Sequence, residues 1–270
     1  MLLNICRITI WIGGVFLLPA LLKAETPTAS GPAKSAAQTV VVDVLGNAHS
    51  IDTPPKRIVS TCLPCDEIIL GILQQPGLNG PDLAGTGNRL IAVSKIAEDH
   101  KYSNVVAAAK AIPHRAGSEI EGVIALKPDL VFINEFNRPE FRAALKKANV
   151  HTFALGPFGS LKDILAAIET TGVVLGEPAA AARVKSQFLI AIEEIKQRIP
   201  RSIRNTPTSA PKLLSFSPDG TIAGADTPFD SIVRAAGGVN LAAQKNLSGW
   251  GDLLWMPQAR STQLDSLAKW

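Results

Sequence analysis

The sequence predicts an α/β fold of two lobes, in which parallel-sheet βα units are joined by one long rigid helix. Short apolar segments alternate with helical segments along most of the chain, a pattern typical of parallel sheets with right-handed crossover helices. One amphipathic segment is much longer than the others and separates a long series from a short one. The length of 270 residues allows one large domain or two small ones and favours two.

The first lobe is predicted to span residues 40–175. It opens with a hairpin, because the segments 40–44 and 49–51 flank a turn that contains Gly46. Ser118 and Ser160 precede helical segments and are expected to act as N-caps. In chain order, strands are predicted at 57–60, 90–93, 130–133 and 151–155, and helices at 66–73, 102–111, 118–126, 139–148 and 160–175.

The linking helix is predicted over residues 176–200. Its apolar residues Val184, Phe188, Ile192 and Ile195 recur with the spacing of one helix face.

The second lobe is predicted over residues 201–270 and is expected to be incomplete. Strands are predicted at 212–216 and 221–223, and a helix at 228–236 with Thr227 as its N-cap. A parallel sheet that is covered on both faces needs more elements than these. Residues 249–270 show no strand period, so we expect an irregular segment after about Gly251.

The N-terminus is typical of a secretory signal peptide, predicted over residues 1–24. Arg7 precedes residues 8–22, which are apolar apart from Thr9 and carry no charge. This apolar stretch is shorter than the ~20 residues that span a bilayer, although a retained anchor is the alternative. Residues 25–39, rich in Pro, Ala and Ser, are expected to form a flexible leader.

Composition and charge argue against a nucleic-acid partner. The net charge is +4, but Arg7 and Lys23 belong to the predicted signal segment and the other basic residues are scattered. Aromatic residues make up 5% of the chain, with the single tyrosine Tyr102. A surface of stacked aromatic side chains for single-stranded nucleic acid is therefore not expected.

Four segments, in this order and spacing, resemble the periplasmic substrate-binding proteins of ABC importers for iron chelates and cobalamin. The segments are residues 43–46 with 55–60, residues 65–70, residues 126–131, and residues 229–240. The resemblance implies two lobes hinged on a rigid helix, with the ligand in the cleft between them. It also implies a non-enzymatic, periplasmic protein without a cofactor, whose partners are a metal chelate (siderophore-iron, cobalamin or haem) and the importer's membrane subunits. We expect a monomer.

The candidate ligand contacts follow from the predicted sheet. In open parallel sheets, ligands bind beyond the carboxyl ends of the strands. The resemblance adds Trp250, at a position where the family presents a cleft residue, and Tyr102 is a side-chain type that can ligate haem iron. The predicted contacts are Cys62, Leu63, Pro64, Cys65, Ser94, Lys95, Tyr102, Asn134, Glu135, Phe136, Ser217 and Trp250.

The resemblance further implies an acidic residue on each lobe that pairs with arginines of the transporter. Glu140 and Asp226 lie at matching helix starts. Stabilisation of the helix N-terminus by either carboxylate is the alternative role.

Two other functions stay open at this point. Cys62 and Cys65, with Leu63 and Pro64 between them, lie between a strand and a helix start, as in thioredoxin-like oxidoreductases. The same pair is also consistent with a disulfide, with two free thiols, or with small buried residues. A truncated binding protein without function is the second alternative.

No catalytic or metal site is predicted. The four histidines lack the spacing of metal ligands and are expected at the surface or in turns. No nucleophile-elbow or phosphate-loop motif occurs in the sequence.

Overall fold

The computed structural model describes residues 39–75, 89–117, 119–201, 203, 210–217 and 219–252. The predicted hairpin is confirmed: β1 (Thr39–Val42) pairs with β2 (Ala48–Ile51) in antiparallel register. The predicted signal segment, the leader up to residue 38, Ser118 and residues 253–270 lie outside the described residues. No described helix has the length and apolar character needed to cross a membrane.

The first lobe is built on a five-stranded parallel sheet. Its strands are β3 (Ile58–Ser60), β4 (Leu90–Ser94), β5 (His114–Ala116), β6 (Leu130–Asn134) and β7 (Thr152–Leu155). They lie in the order β5-β4-β3-β6-β7. The strand β5 was not predicted, because its sequence His-Arg-Ala is polar and it is held by backbone pairing to β4. His114 begins this strand and is exposed, in agreement with its predicted position at the surface.

Five α-helices of the first lobe follow these strands, one after each strand. They are α1 (Leu63–Leu73), α2 (Val106–Lys110), α3 (Ile120–Ala125), α4 (Pro139–Lys147) and α5 (Leu161–Leu175), with a 3-10 turn at Lys95–Glu98. The prediction for α2 was too long, because Tyr102 and Ser103 donate backbone hydrogen bonds to Asp99 in a turn before it. The helix α1 begins three residues earlier than predicted, with Pro64 in its first turn, where no intrahelical donor is needed. The Ser160 cap of α5 is confirmed.

The sheet is covered on both faces, as a parallel sheet requires. Along β6, Phe132 faces the core beneath α1 and α5, while Val131 and Ile133 face the opposite core beneath α3 and α4. In β3, Ile58 and Val59 divide between the two faces in the same way. Strand alternation therefore fixes which helix lies on which face.

The long helix α6 (Pro178–Arg198) follows α5 directly and packs against it. Gly172 of α5 is needed for this approach, because a Cβ atom at that position would lie 2.2 Å from the Cβ of Ala181. The predicted apolar face is confirmed only in part. Val184 packs against the core, but Ile195 is exposed.

The second lobe contains smaller sheets. Its elements are β8 (Lys212–Leu213), β9 (Thr221–Ala223), α7 (Pro228–Ala235), β10 (Val239–Asn240), α8 (Leu241–Gln244) and β11 (Trp250–Asp252). The strand β8 is shorter than predicted, and Thr227 caps α7 as predicted. The absence of a strand in residues 249–270 was a wrong prediction, since β11 pairs with β9. Its Trp-Gly-Asp sequence has no alternation, so only backbone pairing reveals it.

The α/β fold with a long connecting helix is therefore confirmed. The described residues between 39 and 252 belong to one compact unit, so the division at residues 175 and 200 stays a prediction.

Candidate functional site

The predicted site lies where the order of the strands in the first-lobe sheet reverses. From β3 the chain moves outward to β4 and β5, and it then returns to β6 on the other side of β3. Ligands of open α/β sheets bind in the crevice at such a switch point, beyond the carboxyl ends of the strands. Thr61 follows β3, and Asn134 ends β6.

A network of side chains fixes the loop after β6. The Thr61 hydroxyl donates to the carbonyl oxygen of Phe132 at 2.9 Å and approaches Asn137 Oδ1 at 3.5 Å. Asn137 Oδ1 accepts from the Asn134 N–H at 2.7 Å, and Asn134 Oδ1 accepts from the Asn137 N–H at 3.1 Å. This reciprocal pair holds the loop in one conformation. Asn137 was missed by sequence reasoning, although the two asparagines between a strand and Pro139 indicate a turn.

The ordered loop presents Phe136 to solvent. The side chain is 72% exposed, and Glu135 beside it is exposed as well. Phe136 lines a surface cavity of 620 Å³ at the start of α4. The other lining residues are Ile120, Asn137, Arg138, Glu140, Phe141 and Ala144.

A disulfide closes the loop that follows β3. Cys62 is the N-cap residue of α1, and its sulfur is bonded to that of Cys65, with 5.3 Å between the two Cα atoms. Cys65 is 0% exposed, which corrects the prediction that it contacts a ligand directly. Leu63 and Pro64 between them are half-buried and line the surface of this loop.

A buried carboxyl lies beneath the same edge. Asp66 accepts hydrogen bonds from the Ser94 backbone N–H at 3.2 Å and from the Ser94 hydroxyl. Burial raises the pKa of Asp66 to about 6, although hydrogen bonds from Ser60 and Ser94 act in the opposite direction. Ser94 is therefore part of the site's support and is itself buried. The predicted position of Asp66 at a helix start is correct, but its burial was not predicted.

Lys95 and Tyr102 lie beyond β4 and are exposed. Lys95 Nζ is 3.5 Å from Glu119, an exposed pair that contributes little to stability. Tyr102 is 53% exposed, and Lys101 Nζ lies 5.0 Å from its ring centroid. A cation over the ring face at this distance is a weak attractive contact.

The second-lobe candidates occupy β11 and the turn before β9. Trp250 is 59% exposed, whereas Ser217 is half-buried and accepts from the Gly220 N–H. In the part of the chain that the structure describes, no hydrogen bond or ring contact joins them to the first-lobe candidates. The two lobes do meet elsewhere, where the Leu161 N–H donates to Ser231 Oγ at 3.2 Å.

Glu140 and Asp226 are both exposed at helix starts. Neither side chain caps its helix within the described residues, since Thr227 caps α7 and α4 has no side-chain cap. Asp226 instead accepts from the Ser248 hydroxyl at 2.8 Å. Among the described residues, no group of three or more His, Cys, Asp or Glu side chains is placed to hold a metal ion.

Several known proteins are similar to this chain. A cobalamin-binding protein from Halobacterium salinarum is 28% identical over 129 residues, which cover 48% of this chain and 34% of the relative. The match thus spans about a third of the length of that relative.

Solved structures match over a larger part of the chain. The periplasmic heme-binding protein RhuT from Roseiflexus sp. RS-1 is 25% identical, with a TM-score of 0.57 over 73% of this chain and 70% of that one. The periplasmic vitamin B12 binding protein BtuF of Vibrio cholerae is 20% identical, with a TM-score of 0.52 over 74% of this chain and 71% of that one. The second likeness concerns the fold alone.

The family model described as "Periplasmic binding protein" matches residues 78–255. This range covers more than half of the 270 residues and includes β4 to β11, with the exposed Phe136 and Trp250. The chain therefore belongs to the periplasmic binding protein family.

Proposed function

We propose that the protein captures a metal chelate at the carboxyl edge of the first-lobe sheet, in a cleft completed by the second lobe, and delivers it to an ABC importer. The observation that carries this proposal is the exposure of Phe136 on a loop fixed by the Asn134–Asn137 pair. An aromatic side chain held rigidly in solvent provides apolar contact area at little cost in conformational entropy.

The chemistry of the edge suits a large chelate with an apolar ring and a polar periphery. Phe136, Tyr102 and Trp250 supply exposed aromatic surface. Lys95 and Arg138 are exposed cations on the first lobe, suited to an anionic periphery. The names of the similar proteins, which refer to cobalamin and heme, agree with this class of ligand.

The oxidoreductase alternative has less support. An exchange reaction requires a thiolate to reach a sulfur atom of the disulfide. Cys65 is fully buried and Cys62 is 7% exposed, so both sulfurs are shielded from an external thiol. The family match also concerns binding proteins rather than an oxidoreductase.

Direct titration tests the proposal. Haemin, cyanocobalamin and a ferric hydroxamate chelate are titrated against the protein by calorimetry and absorbance. We expect one of them to bind, and Phe136→Ala and Trp250→Ala each to weaken it by roughly tenfold, the loss typical of a central aromatic contact. Ile190→Ala is the matched control, since Ile190 is exposed on α6, away from the strand ends.

Two results would contradict the proposal. One is the absence of binding for all three chelates to the folded protein. The other is a chelate that binds equally to wild type and to both aromatic variants.

If haemin is the ligand, Tyr102→Phe separates iron ligation from ring contact, because only the phenol oxygen ligates iron. Loss of the tyrosinate absorption band with retained binding would identify that ligation.

A further inference from the structure

A second cavity, of 610 Å³, lies along the last turns of α4. The helix α4 starts beside the carboxyl end of β6 and runs back toward the beginning of β7. Arg142 and Lys146 therefore lie toward the opposite end of the sheet from Phe136. Leu45 and Asn47 of the hairpin turn and Asn149 before β7 complete the walls.

The cavity is lined by two cationic side chains, Arg142 and Lys146, beside the neutral polar side chains of Asn47, Asn149 and Thr152. Arg142 is half-buried, and its guanidinium has no hydrogen bond or ion pair within the described residues. Lys146 is likewise unpaired there, and no Asp or Glu side chain is among the lining residues that the structure describes. By contrast, the half-buried Arg89 pairs with Glu177 at 2.9 Å. An unpaired, partly desolvated guanidinium is suited to a carboxylate or phosphate, which it contacts through two parallel hydrogen bonds.

Two histidines also line the cavity, and one of them corrects a prediction. His49 is buried on β2 rather than exposed, and its Nε2 lies 3.1 Å from Asp43 Oδ2. Its Nδ1 lies 3.1 Å from His151 Nε2. Since the buried carboxylate Asp43 accepts the Nε2–H of His49, the network assigns the proton between the two rings to His151. A second proton on His151 would then create an N–H donor at Nδ1.

Apolar side chains form the rest of the cavity. Leu45, Ile133, Ala143 and Val150 lie among its lining residues. Ile133 belongs to the core beneath α4, so the cavity reaches down to the packed interior. A volume of 610 Å³ is within the range of small-molecule sites.

We propose that this cavity binds a small organic anion, in which a carboxylate or phosphate group that contacts Arg142 and Lys146 is attached to a short apolar body. The apolar body would lie against Leu45 and Val150. This site is separate from the carboxyl edge and does not rest on the proposed capture of a chelate.

Binding should also depend on pH through His151. Partial burial and the neighbouring His49 lower the pKa of His151 below its usual 6.5, with Asp129 acting in the opposite direction. The anion favours the protonated ring, so affinity should rise as the pH falls through this pKa. The charged or titratable groups around the ring are His49 on β2 with Asp43 behind it, Asp52 and Lys56 after β2, Asp129 before β6, and Arg142 and Lys146 on α4.

The experiment uses the full chain with two probes, inorganic phosphate and phenyl phosphate. Histidine NMR resonances are followed through a full pH titration with and without each probe, and calorimetry measures the affinities at several pH values, because the pKa of His151 is lowered below the usual 6.5. We expect both probes to raise the pKa of His151, phenyl phosphate to bind several-fold tighter than phosphate, and Arg142→Ala to weaken both by about tenfold. Lys147→Ala is the matched control, because Lys147 is the next residue of α4 but does not line the cavity.

Three outcomes would overturn the inference. If neither probe shifts the His151 resonances, the cavity is not an anion site. Equal affinity of the probes for wild type and for Arg142→Ala would show that the Arg142 guanidinium does not contact the anion. Equal affinity for the two probes would show that the cavity does not bind the apolar part of a ligand. If circular dichroism shows that Arg142→Ala is unfolded, Lys146→Gln replaces it. This variant should also bind both probes more weakly than wild type, and unchanged binding would contradict the inference.

Discussion

The hydroxyl and the backbone N–H of Ser94 both donate hydrogen bonds to the buried carboxylate of Asp66. Ser94 ends β4, and Asp66 lies in the first turn of α1, immediately after the disulfide loop. This contact ties the ends of two neighbouring strands together through the start of one helix. The floor beneath the candidate cleft therefore depends on a titratable group.

Asp66→Asn should change how stability depends on pH. In the folded protein burial raises the pKa of Asp66 to about 6, whereas the unfolded value is near 3.8. Between these two pKa values Asp66 is protonated in the folded state and ionised in the unfolded state. The free energy of unfolding should therefore fall as the pH rises from about 4 to about 6. Asparagine, which stays neutral, should remove this decline and stabilise the protein by about 1–3 kcal/mol at neutral pH.

Urea unfolding of wild type and Asp66→Asn at several pH values measures the effect. Ser103→Ala, a buried serine that ends the turn before α2, provides a control whose effect should not vary with pH. A pH-independent difference between wild type and Asp66→Asn would contradict the assigned protonation.

The Asp66 contact also shows where sequence reasoning succeeds and where it stops. The strands β3, β4, β6 and β7 were predicted because their apolar residues form short blocks between turns, and the edge loops at Cys62 and Phe136 followed from the order of those blocks. The burial of Asp66 was not predictable, because it depends on Ser94, which is distant in sequence. Arg142 was missed because the cavity that it lines is formed with the distant hairpin turn and the start of β7. Asn137 was missed although its partner Asn134 is only three residues away.

Replacing both Cys62 and Cys65 by serine should leave ligand affinity within a few fold. The disulfide joins residues only three apart, so it constrains a very short loop, and its loss should cost at most about 2 kcal/mol. Both half-cystines are also shielded from solvent. Chelate titration of the double variant checks the affinity, and an insulin-reduction assay of wild type checks the redox alternative. Insulin reduction that disappears in the double variant would argue for an oxidoreductase.

Gly172→Ala should destabilise the junction of α5 and α6. The added Cβ would lie 2.2 Å from the Cβ of Ala181, so the helices would have to separate. Overpacking of this kind costs about 1–3 kcal/mol. Gly71→Ala in α1 is the matched control, because a Cβ there meets nothing within 4 Å and the change should be neutral or stabilising. Equal thermal stabilities of the two variants would show that the helix contact tolerates the methyl group.

Charge reversal at Glu140 and Asp226 should separate transport from ligand binding. The proposed docking pairs each carboxylate with an arginine of the importer, so Glu140→Lys and Asp226→Lys would place like charges together. Juxtaposed like charges at an interface cost several kcal/mol, enough to reduce uptake by at least about tenfold. Neither side chain caps its helix in the described residues, so both variants should fold. Glu140 lines the same cavity as Phe136, so a loss of chelate affinity in Glu140→Lys would place this residue in the ligand site instead of the docking surface.

Chelate uptake in cells that carry the importer, together with calorimetric affinity of the purified variants, provides the two measurements. Glu121→Lys is the matched control, since Glu121 is an exposed acid in the first turn of α3. Unchanged uptake in both reversal variants would exclude the docking role. Reduced affinity in Asp226→Lys would have a different meaning. The Asp226 carboxylate accepts from Ser248, two residues before Trp250, so that variant would have disturbed the cleft rather than the interface with the importer.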